Sequence, residues 1–302
     1  MRLSARAPGK VNLCLLVGGV RADGRHELVT VLESVSLCDE LELTILGEGA
    51  GADEVVCPGV AGPNLVEAAL GGLRSRGWDG PRLRIEVVKR IPEAGGMAGG
   101  SSDAAAALRL AEAVQPVADD VIAVVAAELG SDVPSQLVPG VWIAAGAGDS
   151  VEAAEPLEQH SFVVVPQSYG LSTADVYREA DRVGDQRSDA ELASSLESVR
   201  TVLSLPGGRV PAELAVNDLE PAALSLRPEI ADVLDRVRAA GAESAFVSGS
   251  GPTAVGVLWG EAAEARAGAV AAELSGRYPG ACAAVPVGEA FGQPSPRSGT
   301  IR

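Results

Sequence analysis

The chain has 302 residues, enough for a full core and for more than one domain. Its 24 Lys and Arg against 41 Asp and Glu leave a formal charge of −17, which argues against a broad nucleic-acid or anionic-membrane surface, so an anionic ligand needs a local positive site. The composition is 47% hydrophobic but only 3% aromatic, so the core is built from Val, Leu, Ala and Ile.

Cys14, Cys38, Cys57 and Cys282 form no C-x-x-C pair and have no histidine at ligand spacing, so reduced thiols are expected rather than a zinc site or disulfides. Residues 1–8 lack the apolar centre of a signal peptide. The uncharged run 133–148 is broken by Pro134, Gln136 and Pro139 and falls short of a membrane span. These features lead to the expectation of a soluble cytoplasmic protein.

In chain order, residues 11–17, 28–37, 41–46 and 83–88 are β-rich runs bounded by Gly, Asp or Pro. A helix follows, capped by Ser101 or Ser102, running through Gln115 and closed by Pro116. Residues 119–129 form a second helix, with Gly130 as its left-handed cap. The pattern restarts after about residue 155: a strand at 162–165, helices at 173–183, 188–205 and 228–240, and short strands at 244–247 and 253–258. A helix at 261–274 and a strand at 282–287 complete it, and the Gly/Pro/Ser-rich stretch 288–302 reads as a frayed tail. Interleaved helices and strands without a strict β-α-β rhythm indicate an α+β fold with a split β-α-β second domain, divided as 1–155 and 156–302.

The most informative stretch is Pro92, Glu93, Ala94, Gly95, Gly96, Met97, Ala98, Gly99, Gly100, Ser101, Ser102 and the alanine-rich segment behind them. Closely spaced glycines let backbone N–H groups turn inward, and a helix start adds unpaired N–H groups and a positive dipole end. Together they form a cradle for phosphate. The spacing excludes a Walker A loop and a dinucleotide fingerprint, and no protein-kinase catalytic loop is present.

Residues 92–107 resemble the second motif of the GHMP kinase superfamily; APGKVNL at 7–13 resembles its first motif, and VSGSGPT at 247–253 its third. All three occur in the expected order. The resemblance implies ATP-dependent phosphorylation of a small alcohol. It also implies a two-domain GHMP kinase fold, with a ribosomal protein S5 domain 2-like first domain and a ferredoxin-like second domain flanking the cleft. Three further segments, RADGRHEL at 21–28, LGSDVP at 129–134 and NDLEP at 217–221, are similar to those of superfamily members whose acceptor is a cytidine-diphosphate polyol.

Phosphoryl transfer asks for alignment, charge neutralisation and removal of the hydroxyl proton. An aspartate at a turn such as Asp132 is ordinarily a cap, and an isolated lysine such as Lys10 a surface group. The resemblance instead makes Asp132 the base and places Lys10 beside it to keep it ionised. Asn12, two residues on and on the same strand face, is a candidate for the polyol. Ser101 and Ser102 would reach phosphate oxygens or Mg2+, which accompanies ATP because the β and γ oxygens need a counter-ion. His26 and Tyr177 match family positions that read and stack on cytosine, while His160 carries no motif and is taken as structural. Arg25 stands where the family has tyrosine, and its guanidinium can stack on a base. It also motivates the alternative of another small alcohol as acceptor. A catalytically silent nucleotide-binding module is the third reading, marked by loss of Lys10 or Asp132. Ala98 replaces a loop glycine, at a cost of about 1 kcal/mol if its φ is positive. The expected partners are small molecules, with no nucleic acid and no membrane; the sequence says nothing of oligomeric state.

Overall fold

The computed structural model describes residues 2–47, 51–60, 62–184 and 186–297. A long hairpin of β1 (Arg2–Val20) and β2 (His26–Gly47) opens the chain. Next come β3 (Glu54–Val56), α1 (Leu65–Ser75) and β4 (Arg82–Val88). Helices α2 (Gly99–Val114), α3 (Asp119–Leu129) and α4 (Val133–Leu137) precede β5 (Val141–Gly146) and β6 (Ser150–Ala153). The second half holds β7 (His160–Val165), α5 (Thr173–Val183), α6 (Asp189–Leu203), α7 (Glu220–Leu226) and α8 (Glu229–Ala239). It continues with β8 (Ser244–Val247), β9 (Ala254–Trp259), α9 (Ala263–Ser275), β10 (Cys282–Ala284), a 3-10 turn (Glu289–Gly292) and β11 (Ser295–Pro296).

A seven-stranded sheet carries the path β11-β1-β2-β4-β3, with β5 and β6 branching from β2. The branch explains why two strands were expected in the sequence where one runs through. The first part of β2 pairs with β5 (Leu28↔Gly146 to Glu33↔Val141), and its last part with β4 (Glu40↔Val88 onward). The second sheet has the order β10-β7-β9-β8, and all its pairings are antiparallel. With α5 to α8 between its first two strands and α9 before its last, this is the split β-α-β arrangement expected.

Helix α2 lies against the first sheet. Ala104, Ala105, Ala106 and Ala107 are fully buried, since their small side chains let the helix approach α1 and β1 closely. A further apolar cluster joins the sheets, bringing Val11, Leu16 and Val31 against Phe162, Val164 and Val255. It forms the floor on which the two halves meet.

Three expectations are corrected. First, residues 288–297 are not frayed: β11 pairs with β1 through Leu3↔Pro296, and the Gly292 carbonyl accepts from the buried Arg109 guanidinium. Burial pushes Arg109 down to about 10, and the carbonyls of Arg6 and Gln136 also accept from it. Residues 298–302 lie outside the described residues. Second, neither Ser101 nor Ser102 caps α2. The helix starts at Gly99 after a left-handed Ala98 (φ 54°, ψ 32°), with no side-chain cap. Third, Gly130 ends α3 with φ 149° and ψ 158°, a positive-φ extended conformation rather than a left-handed helical cap.

No helix among the described residues is long and apolar enough to cross a membrane. The four cysteines are free, and Cys14 and Cys38 are buried.

Candidate active site

A cavity of about 1000 Å3 lies between the two sheets. Its walls come from β1, β2, the glycine loop, the α3–α4 turn, α5 and the loop after β8. Lys10 enters from β1, and only 5% of it is exposed. Its ammonium donates to Asn12 Oδ1 at 2.5 Å, and Asn12 Nδ2 donates onward to Thr30 Oγ1 at 2.9 Å. Burial holds Lys10 below the usual lysine range, and the charge of Asp132 partly offsets this. Lys10, from the first strand, and Asp132, from the residue before α4, thus line one cavity, near enough for their charges to interact.

The glycine loop is shaped from behind. Met97 is buried in the core, and its carbonyl accepts from the Lys10 backbone N–H at 3.1 Å. Gly96 has φ +78° and lies against the loop after β8, where Ser248 Oγ donates to the Gly96 carbonyl at 3.2 Å. Gly249 (φ +55°) has no room for a side chain, because a Cβ would sit 2.8 Å from Gly96 O and 3.1 Å from Lys10 Nζ. These glycines let two backbones and an ammonium approach closely. Residues 92–96 and 98–101 all line the cavity.

A buried ion cluster fastens the start of this loop. Lys89 Nζ donates to Asp39 Oδ2 and to Asp103 Oδ2, while Asp39 Oδ1 accepts from the backbone N–H groups of Arg90 and Ile91. Burial pushes the Asp103 carboxyl up to about 7, with Lys89 opposing the shift. Lys89 also loses water on burial, yet the two carboxylates hold its ammonium above the ordinary value. Asp103 Oδ1 is buried and has no hydrogen-bond partner among the described residues.

His26 and Tyr177 also line the cavity, and their rings pack together at an interplanar angle of 33°, with centroids 4.9 Å apart. Tyr177 is pushed up to about 12 by burial and by the nearby Asp132 charge. Arg25 also lines the cavity, and its guanidinium is engaged by Asp23 Oδ2 at 2.9 Å and Asp149 Oδ2 at 3.1 Å.

Of the residues singled out from sequence, Lys10, Asn12, Arg25, His26, Asp132, Tyr177 and most of the glycine loop share this cavity. Two do not reach it. Met97 turns into the core, and Ser102 Oγ donates to the Pro8 carbonyl at 2.6 Å, tying α2 to β1 instead of facing phosphate. His160 is structural as expected, its ring nitrogens 2.7 Å from Glu33 Oε2 and from the Glu158 carbonyl.

Sequence reading missed Lys89, Asp103, Asn217 and Asp181. Asp103 directly follows the two serines, and that adjacency was the available signal. Asn217 opens a recognised segment. Its Nδ2 donates to the carbonyls of Val247 and Gly249, both at 2.7 Å, and so holds the third loop in place.

Residues 64–140 match the GHMP kinases N terminal domain, and residues 208–281 match the GHMP kinases C terminal family. The chain is 41% identical over 280 residues to the 4-diphosphocytidyl-2-C-methyl-D-erythritol kinase of Salinispora tropica, covering 89% of this chain and 87% of that one. Against the enzyme of the same name from Streptomyces coelicolor, identity is 39% over 84% of this chain and 86% of the relative. A crystal structure of 4-(cytidine 5'-diphospho)-2C-methyl-D-erythritol kinase superposes with a TM-score of 0.71 at 32% identity, covering 94% of this chain and 99% of that one. Homoserine kinase from Cytophaga hutchinsonii shares the fold alone, with a TM-score of 0.68 at 16% identity over 98% of this chain and 96% of that one.

Proposed function

The chain belongs to the GHMP kinase family, and from that premise we infer that it is a 4-diphosphocytidyl-2-C-methyl-D-erythritol kinase of isoprenoid precursor synthesis. It transfers the γ-phosphoryl group of ATP to the 2-hydroxyl of that substrate. The observation that carries the reading is the meeting of Lys10 and Asp132 in one cavity with the glycine loop, His26 and Tyr177.

In this proposal Asp132 accepts the proton of the attacking hydroxyl as its oxygen bonds to phosphorus and the bond from the γ-phosphorus to the bridging oxygen breaks. Lys10, buried beside it, supplies a positive charge that lowers the cost of a developing alkoxide. Asn12 orients the Lys10 ammonium through their hydrogen bond. Backbone N–H groups at Gly99, Gly100 and Ser101, at the open start of α2, hold phosphate oxygens together with the helix dipole. Tyr177 and His26 take the cytosine ring, and Arg25 sits at the rim beside the substrate diphosphate, partly neutralised by Asp23 and Asp149.

Among the described residues no three His, Cys, Asp or Glu side chains converge as a resident metal centre. Ser101 and Asp103 Oδ1, which has no partner among the described residues, are oxygen donors beside the loop, and they fit a Mg2+ ion that arrives on the nucleotide. When bound, that ion neutralises charge on the β and γ phosphates. Division of the chain near residue 155 belongs to the same proposal, supported by the first sheet receiving β6 just before that point and the second starting at β7.

A coupled assay of ADP release tests the reading. Turnover should depend on 4-diphosphocytidyl-2-C-methyl-D-erythritol and be at least a hundredfold slower with mevalonate, homoserine or galactose, on the order expected where polar groups select the substrate. Equal rates across that panel would sink the substrate assignment.

A further inference from the structure

Asp181 lies one helical turn beyond Tyr177 on α5, so the two side chains share a helix face, and both line the cavity. Asp181 Oδ1 lies 2.8 Å from His26 Nε2 and also accepts from Gln186 Nε2. The His26 side chain is only 8% exposed, packed on Tyr177 at an interplanar angle of 33°. The ring is therefore held on one side by an aromatic face and at one nitrogen by a carboxylate.

An ionised carboxylate has no hydrogen to give, so the proton in this contact belongs to Nε2 of His26. In a neutral imidazole that leaves Nδ1 with a bare lone pair. Nδ1 takes no hydrogen bond from the described residues, although His26 lines the cavity. A ring that lines a cavity with one nitrogen committed and the other without a partner among the described residues is a candidate acceptor for a ligand. Cytosine offers an amino donor at its 4-position, whereas uracil offers a carbonyl acceptor at the same place.

Building on the cytidine-diphosphate reading above, we propose that Asp181 is a positioning residue that fixes the proton of His26 on Nε2, so that Nδ1 accepts from the cytosine amine and rejects uracil. Selection then works through repulsion as much as attraction: two lone pairs would face one another if a uridine compound entered. Asp181 itself touches neither the base nor the reacting hydroxyl. Gln186 Nε2 donates to the same Asp181 oxygen and steadies it.

The chain contains only two histidines, so full-length protein labelled with 15N-histidine gives two sets of ring signals. The set lost in His26→Gln identifies His26. In the wild type, His26 should show a protonated Nε2 and an unprotonated Nδ1, and cytidine 5'-diphosphate should bind about tenfold to a hundredfold more tightly than uridine 5'-diphosphate. In Asp181→Ala the His26 signals should become those of mixed tautomers, and the preference should fall to about threefold or less by the same reasoning. Asp181→Glu should recover much of it. With the full substrate, Asp181→Ala should raise KM about tenfold and leave kcat within about twofold, because only binding is affected.

A neutral wild-type His26 protonated on Nδ1 overturns the proposal without any variant. So does an Asp181→Ala protein that keeps the whole cytidine preference. If the wild type shows the expected tautomer and nucleotide preference but does not phosphorylate 4-diphosphocytidyl-2-C-methyl-D-erythritol, the base-selection proposal stands and the kinase reading fails.

Discussion

Gly96 lies directly beneath the carbonyl oxygen of Ser248, so close that a Cβ at Gly96 would overlap that oxygen. Two loops 152 residues apart in the chain thus touch through bare backbone, and the contact closes one wall of the cavity.

Gly96→Ala breaks that contact for two reasons, the clash and a φ of +78° that an alanine adopts only under strain. A backbone carbonyl cannot rotate away as a flexible side chain can. A loss of about 3 kcal/mol is expected, read as a fall in Tm of about 5 to 10 °C, with turnover reduced at least a hundredfold. Gly19→Ala serves as the control, because an added Cβ there meets nothing within 4 Å and the backbone φ is not positive; it should leave Tm within about 1 °C.

Ala98 occupies the left-handed region at φ 54°, at the residue before α2. Ala98→Gly relieves strain of about 1 kcal/mol, partly offset by the greater freedom of glycine in the unfolded chain. A net gain of about 0.5 kcal/mol is expected, a rise of about 1 to 2 °C in Tm, and KM for ATP should stay level or fall. A drop in Tm would show that the alanine methyl is held by packing that outweighs the strain.

Lys10 combines catalytic placement with an unfavourable environment. Its pKa is lowered in the folded state, chiefly by burial, so the folded protein bears a penalty for the ammonium at every pH below that lowered value. Lys10→Met removes the penalty and the function together: Tm should rise while kcat falls by about 10^3. In Asp132→Asn the one influence that raises Lys10 is gone. Its residual activity, also about 10^3 lower, should decline with rising pH earlier than the wild-type activity does. An Asp132→Asn enzyme keeping most of its rate would refute the base assignment.

Asp103 titrates near 7 because burial disfavours its charge, against the opposing attraction of Lys89. A carboxyl whose folded pKa lies above its unfolded value destabilises the fold once the pH exceeds the unfolded value, and the penalty is complete above the folded one. Asp103→Asn should therefore gain stability relative to wild type between about pH 4 and pH 7, a relative Tm gain of about 2 to 4 °C at pH 8 over that at pH 5. Lys89 keeps Asp39 as its partner in the variant. Parallel Tm–pH curves for the two proteins would contradict the assignment.

Much of the site was legible from residues 92–108 and the segments around Lys10, Asp132 and 247–253. The reason is local: glycine spacing before an alanine-rich helix dictates where backbone N–H groups can turn inward, whatever packs around them. Ser102 shows the limit of such reading. A serine at a helix start was expected to face phosphate, but α2 begins earlier, at Gly99, and the hydroxyl is rotated onto the Pro8 carbonyl. Residues 288–297 failed in the opposite sense. Their composition reads as a frayed end, yet β1 offers an open edge, and Arg109 needs the Gly292 carbonyl to satisfy its buried guanidinium.

The family, the α+β class and the three loops that meet at the cavity could all be read along the chain, because motif and turn chemistry are set by neighbours a few residues away. Apart from Lys10 and Asp132, whose meeting the family resemblance implied, which charges pair could not be read; that followed from the folding of distant segments together. Lys89 with Asp39 and Asp103, His26 with Asp181 and Gly96 under Ser248 join positions 14 to 155 residues apart, and their energies come from burial and contact that exist only once the two sheets have closed on each other.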